Sequence, residues 1–147
     1  MPAIDLHHLA IKTDDVDATV AFWNDIIGSH SVDRPDFGFP GAWLQFGETM
    51  IHLYGGDTAL NKAGGYDRGS AAIDHVALSA RGFDEMRALF DEKKLDWRQM
   101  SIPSFHLWQL FVQDPNGVLV ELNFDARQEP SGSAGPDNSN IYDPGNF

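Results

Sequence analysis

Two short segments of the chain have nearly the same sequence, and each places a histidine two residues before an alanine. The segments are "LHHLAI" at 6–11 and "IDHVAL" at 73–78. A shift of 67 positions places His8 on His75 and Ala10 on Ala77. A repeat of this kind restricts the fold, because each copy is expected to form one similar structural unit. We therefore predict two related modules.

The repeat extends well beyond these two strands. The same shift aligns Asp17 with Asp84, and a shift of 69 places "MIHLY" over "LVELN". Each half is predicted to form a strand, a helix and three further strands. The predicted fold class is α+β, with two tandem βαβββ modules that form a curved mixed sheet. The predicted divisions are a first module at 1–54, a Gly-rich linker at 55–71, a second module at 72–126 and a tail at 127–147.

Hydrophobic periodicity and turn residues place the elements of each module. In the first module we predict a strand at 5–12, a helix at 16–27 and strands near Ser31, Trp43 and Ile51. In the second module we predict a strand at 73–79, a helix at 83–94 and strands near Trp97, Leu110 and Val120. Asp14 or Asp15 is the predicted N-cap of the first helix, and Gly28 ends it.

Alternation along the strands predicts one polar face in each module. Successive strand residues point to opposite faces, so His8 and Ala10 lie opposite Leu9 and Ile11. The second copy has the same pattern around His75. The last strand of each module alternates in the same way, around His52 in the first module and Glu121 in the second. The residues predicted to converge on the polar face are His8, His52, His75 and Glu121.

Histidine and glutamate, the two residue types in this set, are common ligands of divalent metals. Glu121 lies in the apolar strand "VLVELNF", where a carboxylate is tolerated when it is paired or bound to metal. Imidazole nitrogens and carboxylates suit Zn, Ni, Fe or Mn. A lone strand histidine usually makes only a hydrogen bond, but four donors at equivalent positions favour a metal site. The strand alternation and the match to His75 favour His8 over His7.

Two further histidines lie outside this pattern. His30 has no support from the repeat. His106 opens the strand "HLWQLF" and is a weaker candidate for an acid or base in a pocket.

Composition excludes several classes of function. The formal net charge is −12, with only 10 Lys and Arg, so we expect neither a nucleic-acid partner nor binding to an anionic membrane. There is no cysteine, which excludes disulfides, thiolate ligands and a cysteine nucleophile. We find no signal-peptide pattern and no run of ~20 apolar residues, and we expect a cytoplasmic protein.

The last segment, "RQEPSGSAGPDNSNIYDPGNF", is rich in Pro, Gly, Ser and Asn. Such composition favours a disordered terminus without a core of its own. The alternative is an arm that packs on a partner subunit through Ile141, Tyr142 and Phe147.

Three stretches of the chain resemble the vicinal oxygen chelate superfamily, which includes glyoxalase I, methylmalonyl-CoA epimerase, extradiol dioxygenases and fosfomycin-resistance proteins. They are "LHHLAIKTDDVDATVAFWNDIIG", "IDHVALSA" and "LFVQDPNGVLVELNF", and the likeness covers about 4–124. The resemblance implies two βαβββ modules forming a cup around one divalent metal ion (Ni, Zn, Co, Mn or Fe), often within a homodimer. It also implies a small-molecule substrate. The implied ligands are His8, His52, His75 and Glu121.

At several positions the chain differs from particular members of the superfamily. Glyoxalase I normally has glutamate at the position of His52, and the epimerase has glutamine. The "YGGD" segment lacks the asparagine often found after that strand, so a glutathione adduct is not indicated. Ala10 replaces the threonine common in fosfomycin-type enzymes.

The activity that the resemblance favours is that of a glyoxalase I-like lyase or isomerase. Such an enzyme would act on a small carbonyl-containing substrate through a metal-stabilised enediolate. Glu121 is the first candidate for the base and His52 the second. The predicted substrate-binding residues are Tyr54, Trp43 and Trp108, although the two tryptophans also fit a core role.

The sequence also leaves two alternatives to a lyase or isomerase. The first is an Fe(II) extradiol-type dioxygenase that uses His8, His75 and Glu121 as ligands, with His52 as an acid or base. A tyrosine often found near the last strands of those enzymes is replaced here by Phe111. The second is a non-catalytic drug-binding protein similar to the bleomycin-resistance members, against which the four ligand types argue.

Overall fold

The computed structural model describes residues 2–147, and these divide into two compact units. One unit runs through Gly69 and also includes Asp114–Asn116. The other comprises Ser70–Gln113 and Gly117–Phe147.

The first unit is built on a four-stranded mixed sheet. Its elements are β1 (His8–Lys12), α1 (Val16–Ala21), β2 (His30–Val32), β3 (Gly41–Phe46) and β4 (Thr49–Tyr54). The strand order is β1-β4-β3-β2, with β1 parallel to β4 and the other pairs antiparallel. A π-helical turn at Phe22–Ile27 continues α1, so the chain is helical over the whole predicted range.

Local sequence sets both ends of this helix as predicted. The Asp15 carboxylate accepts a hydrogen bond from the backbone N–H of Ala18 at 2.9 Å, which satisfies one of the free donors of the first turn. Gly28 ends the helix with a φ of 97°, a conformation that glycine adopts without a steric penalty. The buried residues of the helix and sheet form the core: Ile11, Phe22, Trp23, Ile26, Leu44, Ile51 and Leu53.

The second unit repeats this arrangement. Its elements are β5 (Val76–Ala80), α2 (Phe83–Glu92), β6 (Trp97–Ile102), β7 (Leu107–Gln113) and β8 (Leu119–Asp125). The strand order is β5-β8-β7-β6, which is the order of the first sheet with each strand replaced by its repeat. The predicted βαβββ fold class is therefore confirmed, with one four-stranded sheet in each module.

In the second unit the apolar face of the sheet packs under α2. The Phe83 ring meets the rings of Phe124 at 5.3 Å and Trp108 at 5.5 Å, both edge to face. The core also contains Phe90, Leu110, Val112, Val120 and Leu122. The opposite face of β7 and β8 therefore holds the alternate residues, which include Phe111 and Glu121.

The segment at 55–71 is more ordered than a simple linker. It contains a short 3₁₀ helix at Gly56–Ala59, and Ala59 is fully buried. The Thr58 hydroxyl donates a hydrogen bond to the Gly55 carbonyl at 2.7 Å. Within 2–147, no helix is both long enough and apolar enough to cross a membrane.

The C-terminal tail is docked, which contradicts the expectation of a disordered terminus. The Glu129 carboxylate accepts hydrogen bonds from the backbone N–H groups of Gly82 (3.1 Å) and Phe83 (2.8 Å). These N–H groups lie at the start of α2 and have no partner within the helix, so Glu129 acts as a cap supplied from a distant part of the chain.

Further along, the tail pairs with the free edge of β6. The backbone N–H of Gln99 donates to the Asn140 carbonyl at 2.8 Å, and the N–H of Tyr142 donates to the Gln99 carbonyl at 2.9 Å. The Tyr142 ring stacks on Phe111 with 3.7 Å between centroids. Phe147 contacts Arg98, whose guanidinium carbon is 4.9 Å from the centroid of its ring. Tyr142 and Phe147, two of the residues named for a partner contact, thus pack on their own chain.

Candidate metal and proton-transfer site

The first unit brings three rings together across neighbouring strands, and we call this group the histidine stack. His8 on β1, His52 on β4 and Trp43 on β3 lie on one face of the sheet. The His8 and His52 ring centroids are 3.9 Å apart, and those of His52 and Trp43 are 4.5 Å apart. Ala10, opposite His52 in the register, leaves this face open beside the imidazoles.

His52 in the middle of the stack has the properties of a metal ligand. Its residue is only 7% exposed, and its Nε2 atom is buried without a hydrogen-bond partner. Burial lowers the pKa of His52, and the charge of nearby His8 lowers it further. The imidazole is therefore neutral at pH 7 and has a free lone pair, which is the form that binds metals.

Contacts around the stack favour His8 over His7 as the histidine that lies next to His52. His8, and not His7, makes the stacking contact with His52. His7 contacts His8 edge on, with their Nδ1 atoms 2.8 Å apart. Tyr54 lies two residues beyond His52 on the same strand, and its ring meets Phe39 edge to face at 5.4 Å. Trp43 and Tyr54 thus lie beside the predicted ligand His52.

The second unit brings His75 and Glu121 together, and we call them the glutamate–histidine pair. The Glu121 residue is 9% exposed, and its Oε2 atom lies 3.1 Å from the Nε2 atom of His75. Its Oε1 atom accepts hydrogen bonds from the side-chain amides of Gln109 (2.8 Å) and Asn123 (2.7 Å). The buried carboxylate is therefore held in one orientation by two amides.

The other nitrogen of His75 has a carboxylate partner of its own. Its Nδ1 atom lies 2.6 Å from Oδ1 of Asp74. A carboxylate only accepts hydrogen bonds, so Nδ1 carries a proton. The Nε2 atom then faces the Glu121 carboxylate, either with a second proton or with a lone pair. A lone pair facing a carboxylate oxygen at 3.1 Å is favourable only when a cation lies between them, so the geometry calls for a proton or a metal ion.

The tail adds a residue to this face of the second sheet. Tyr142 stacks on Phe111, which is paired with Glu121 in the β7–β8 register. Burial raises the pKa of Tyr142, and the charges of Asp74 and Glu121 raise it further. The phenol therefore keeps its proton at neutral pH and is a hydrogen-bond donor near the carboxylate.

Trp108 and the two remaining histidines lie away from these groups. Trp108 alternates with Leu110 on the apolar face of β7, where it contacts Phe83 and Gly135. It is thus a packing residue and does not line the polar face, contrary to its predicted role in substrate binding. His30 and His106 are both exposed, and His106 lies in the turn before β7.

The donors predicted from the sequence form two pairs, one in each unit. Within residues 2–147, no group of three or more acidic or histidine side chains is arranged to hold a metal ion. The donor chemistry nevertheless fits a divalent metal, because His52 has an orphaned buried nitrogen and His75 has a carboxylate on its far nitrogen. The shared ligand set stays a prediction.

Sequence reasoning missed the residues that hold these donors. Asn123 lies two positions from Glu121 and shares its face, so strand alternation was a sufficient signal for it. Gln109 is brought to Glu121 by the pairing of two strands, and Tyr142 by the docking of the tail. Neither arrangement is visible in the local sequence.

The fold and these two groups define a class of protein. The family model for the "Glyoxalase/Bleomycin resistance protein/Dioxygenase superfamily" matches residues 5–122. The chain belongs to this superfamily.

Two named proteins are similar to this chain over most of its length. The chain is 27% identical over 131 residues to the mitochondrial methylmalonyl-CoA epimerase of Mus musculus, covering 80% of this chain and 71% of that protein. It is 28% identical over 130 residues to Glyoxylase I 4 of Arabidopsis thaliana, covering 80% and 68%.

Solved structures show the same fold at lower identity. A lactoylglutathione lyase from Agrobacterium tumefaciens aligns with a TM-score of 0.62 at 19% identity, covering 87% of this chain and 98% of that one. A glyoxalase family protein from Bacillus anthracis aligns with a TM-score of 0.67 at 16% identity, covering 83% and 95%.

Proposed function

We propose that this protein is a divalent-metal-dependent lyase or isomerase that moves a proton next to a substrate carbonyl through an enediolate. The observation that supports this most strongly is the glutamate–histidine pair. A buried carboxylate with one oxygen fixed by two amides and the other facing an imidazole is arranged to exchange a single proton.

The metal in this proposal is held by His8, His52, His75 and Glu121. When bound, it supplies Lewis-acid stabilisation for charge that develops on a substrate oxygen. A neutral His52 in place of a carboxylate leaves one anionic ligand in the set. A divalent ion would then keep a net positive charge, which strengthens its pull on that oxygen.

Glu121 is the proposed base, and its surroundings explain how it would act. Gln109 and Asn123 both donate to Oε1, so Oε2 is the oxygen that remains available. In this proposal Oε2 would take the proton after Glu121 leaves the metal. The burial of the carboxylate excludes water, which would compete for the same hydrogen bonds. A base positioned in this way contributes about 10²–10⁴-fold in rate.

Two relatives support a substrate with an acidic carbon next to a carbonyl. One is named an epimerase of methylmalonyl-CoA and the other a glyoxylase I. Both reactions involve proton transfer at a carbon beside a carbonyl group. We therefore propose that the substrate is a thioester or a 2-oxoaldehyde adduct of this kind.

Hydrogen–deuterium exchange tests the proposal directly. The protein, with its metal content measured by elemental analysis, is incubated in D₂O with methylmalonyl-CoA, and separately with the hemithioacetal of methylglyoxal and glutathione. We expect enzyme-dependent deuterium at the carbon beside the carbonyl of one substrate, measured by NMR. We expect Glu121→Gln to slow exchange by about 10²–10⁴-fold.

The control for this substitution is Glu48→Gln, which makes the same chemical change at an exposed turn. It should exchange deuterium as fast as the wild type. Full exchange activity in Glu121→Gln would remove Glu121 as the base. No exchange with either substrate in the metal-loaded protein would count against the lyase or isomerase.

A second candidate is an Fe(II) ring-cleaving dioxygenase, and one observation favours it. Phe111 occupies the position of a tyrosine in the extradiol enzymes, and Tyr142 stacks on it here, so a tyrosine is present on the face of the sheet that holds Glu121. Oxygen uptake with catechol by the iron-loaded protein distinguishes the two candidates, because a lyase or isomerase consumes no oxygen. A protein that takes up no metal at all would instead favour the drug-binding alternative.

A further inference from the structure

Arg34 lies just after β2, in a short segment that also contains Phe37 and Phe39. Its guanidinium carbon is 4.9 Å from the Phe37 ring centroid and 4.8 Å from that of Phe39. Its Nη1 atom donates a hydrogen bond to the Phe39 carbonyl at 3.3 Å. One terminal nitrogen is thus satisfied, and the aromatic rings cover part of the group.

The other edge of the guanidinium has no partner. The Nε and Nη2 atoms of Arg34 are both buried, and neither makes a hydrogen bond. In the described part of the chain, no carboxylate forms a salt bridge with Arg34. Burying a charged donor without an acceptor is unfavourable, so this edge is expected to meet an acceptor in the working protein.

The geometry of this edge indicates which acceptor fits. Nε and Nη2 lie on the same side of the planar guanidinium, and their N–H bonds run parallel. This is the fork that binds the two oxygens of a carboxylate at once. The acidic residues nearest in sequence, Asp33 and Asp36, do not occupy it, and the Asp36 carboxylate instead accepts a bond from the N–H of Gly38.

Arg34 lies beside the histidine stack. The ring centroid of its neighbour Phe37 is 6.1 Å from that of Trp43. The Trp43 ring in turn stacks on His52. Its Nη2 atom lies against Gly41, where a β-carbon would be 3.0 Å away, and Gly41 pairs with Tyr54 on β4. The unpartnered edge of Arg34 and the unpartnered Nε2 of His52 are thus two unsatisfied polar groups in one region of the first unit.

We propose that Arg34 binds a carboxylate group of the substrate through its Nε and Nη2 atoms. The proposal rests on the proposed function for the identity of the ligand as substrate, and it narrows the substrate to an anionic carbonyl compound. Phe37 is half exposed, and its ring lies over one face of the guanidinium. The Nε and Nη2 atoms are themselves buried, with Nη2 against Gly41, so the segment around Arg34 must shift to admit the ligand.

Direct binding tests this proposal without any turnover. The protein is stripped of metal with a chelator, dialysed, and titrated with malonate by calorimetry and by NMR of the indole N–H of Trp43. We expect saturable binding to one site, with a shift of the Trp43 signal. Arg34→Gln should weaken malonate binding by roughly tenfold or more, because two charge-assisted hydrogen bonds are lost.

Three comparisons make the result decisive. Lys62→Gln removes the same charge from an exposed position of this unit and should bind malonate like the wild type. Arg34→Lys keeps the charge without the fork and should be weakened as well, which also serves if Arg34→Gln fails to fold. The neutral analogue malonamide should bind far more weakly than malonate.

The opposite outcomes overturn the proposal. Unchanged malonate affinity in Arg34→Gln or Arg34→Lys, or equal affinity for malonamide, would show that the guanidinium only packs on the phenylalanines. Tighter binding of inorganic phosphate than of malonate would reject a carboxylate as the ligand. If malonate binds as expected but no deuterium exchange is seen, the proposed activity fails while the binding site stands.

Discussion

At the residue scale, His75 and Glu121 illustrate how polar groups are accommodated in an apolar sheet. Glu121 is buried, but both of its oxygens have polar neighbours, so it does not carry the cost of an isolated buried charge. His75 has a carboxylate on each side, Asp74 and Glu121. An imidazole between two carboxylates favours a cation at that point.

Removing the imidazole of His75 should remove the metal. We expect His75→Ala to lose the bound divalent ion without unfolding, because the residue is partly exposed and lies immediately before β5, outside the core. Elemental analysis measures the metal, and circular dichroism the fold. The matched control is His30→Ala, an exposed histidine outside the predicted ligand set, which should keep its metal. Equal metal content in both variants would reject His75 as a ligand.

Asp74 should matter for the same site, although it is not a predicted ligand. It fixes the proton on Nδ1 of His75 and so directs Nε2 toward Glu121. We expect Asp74→Asn to weaken metal binding by about 10–100-fold, measured by competition with a chelating dye. Asp25→Asn, an exposed substitution on the helical segment of the first unit, should have no effect. Identical affinity in the two variants would mean that Asp74 does not orient the imidazole.

At the element scale, the C-terminal tail is where composition and structure disagree. Its Pro, Gly and Ser content indicates disorder, yet it is held by hydrogen bonds to buried side chains of the second unit. The fully buried Gln99 donates to Asp137 at 2.8 Å and to the Ser139 carbonyl at 2.6 Å. Arg87 donates to the Gly135 carbonyl at 2.9 Å. The tail also covers the open edge of β6, which would otherwise offer unpaired backbone groups.

Acid should release the tail. Hydrogen bonds from the Ser139 side chain and backbone lower the pKa of Asp137 below its ordinary value of 3.8. A lowered pKa means that Asp137 stabilises docking above pH 3.8 and loses this effect as the pH falls through the lowered value. The NMR shifts of the Tyr142 ring, which stacks on Phe111, should move toward free tyrosine values in that range.

The variant Asp137→Asn distinguishes the contribution of Asp137 to the acid transition from that of the other acidic groups in the tail contact. The variant cannot ionise, so its Tyr142 shifts should already be partly displaced at pH 7 and should change less on acidification. An acid transition identical to that of the wild type would assign the release to other groups, such as Asp84 or Glu129.

At the scale of the whole molecule, the internal repeat explains most of what the chain has in common with its family. Two modules with the same strand order arise from two copies of one pattern. The family match over residues 5–122 covers both copies. The tail lies beyond that match, so the contacts it adds are a feature of this chain rather than of the family model.

The predicted homodimer has a direct test. We expect sedimentation equilibrium to give a mass of about twice the 16.3 kDa of one chain at micromolar concentration, because the resemblance to this superfamily implies a homodimer. A mass that stays at one chain across the concentration range would contradict the dimer.

Much of the candidate site was predictable because it depends on local periodicity. The alternation of the strands placed His8 and His52 on one face, and the ring stack is consistent with that face. The same rule, applied to "HLWQLF", would have placed Trp108 with Leu110 on the apolar side, where the structure has it. The end of the helix at Gly28 was also local and was predicted correctly, and the N-cap is Asp15, one of the two residues predicted for it.

The sequence by itself determined the two modules, the face of each strand and the types of donor that the site can offer. Each follows from a repeat of two or three to four residues, or from the repeat of the whole module, all of which are visible along the chain. The tertiary structure decided which groups surround these donors. It places the Gln109 amide on Glu121 and the Tyr142 ring on Phe111. It also leaves one edge of the Arg34 guanidinium without a partner. These contacts join residues that are far apart or lie in irregular segments, so they depend on strand register and packing, which no local pattern encodes.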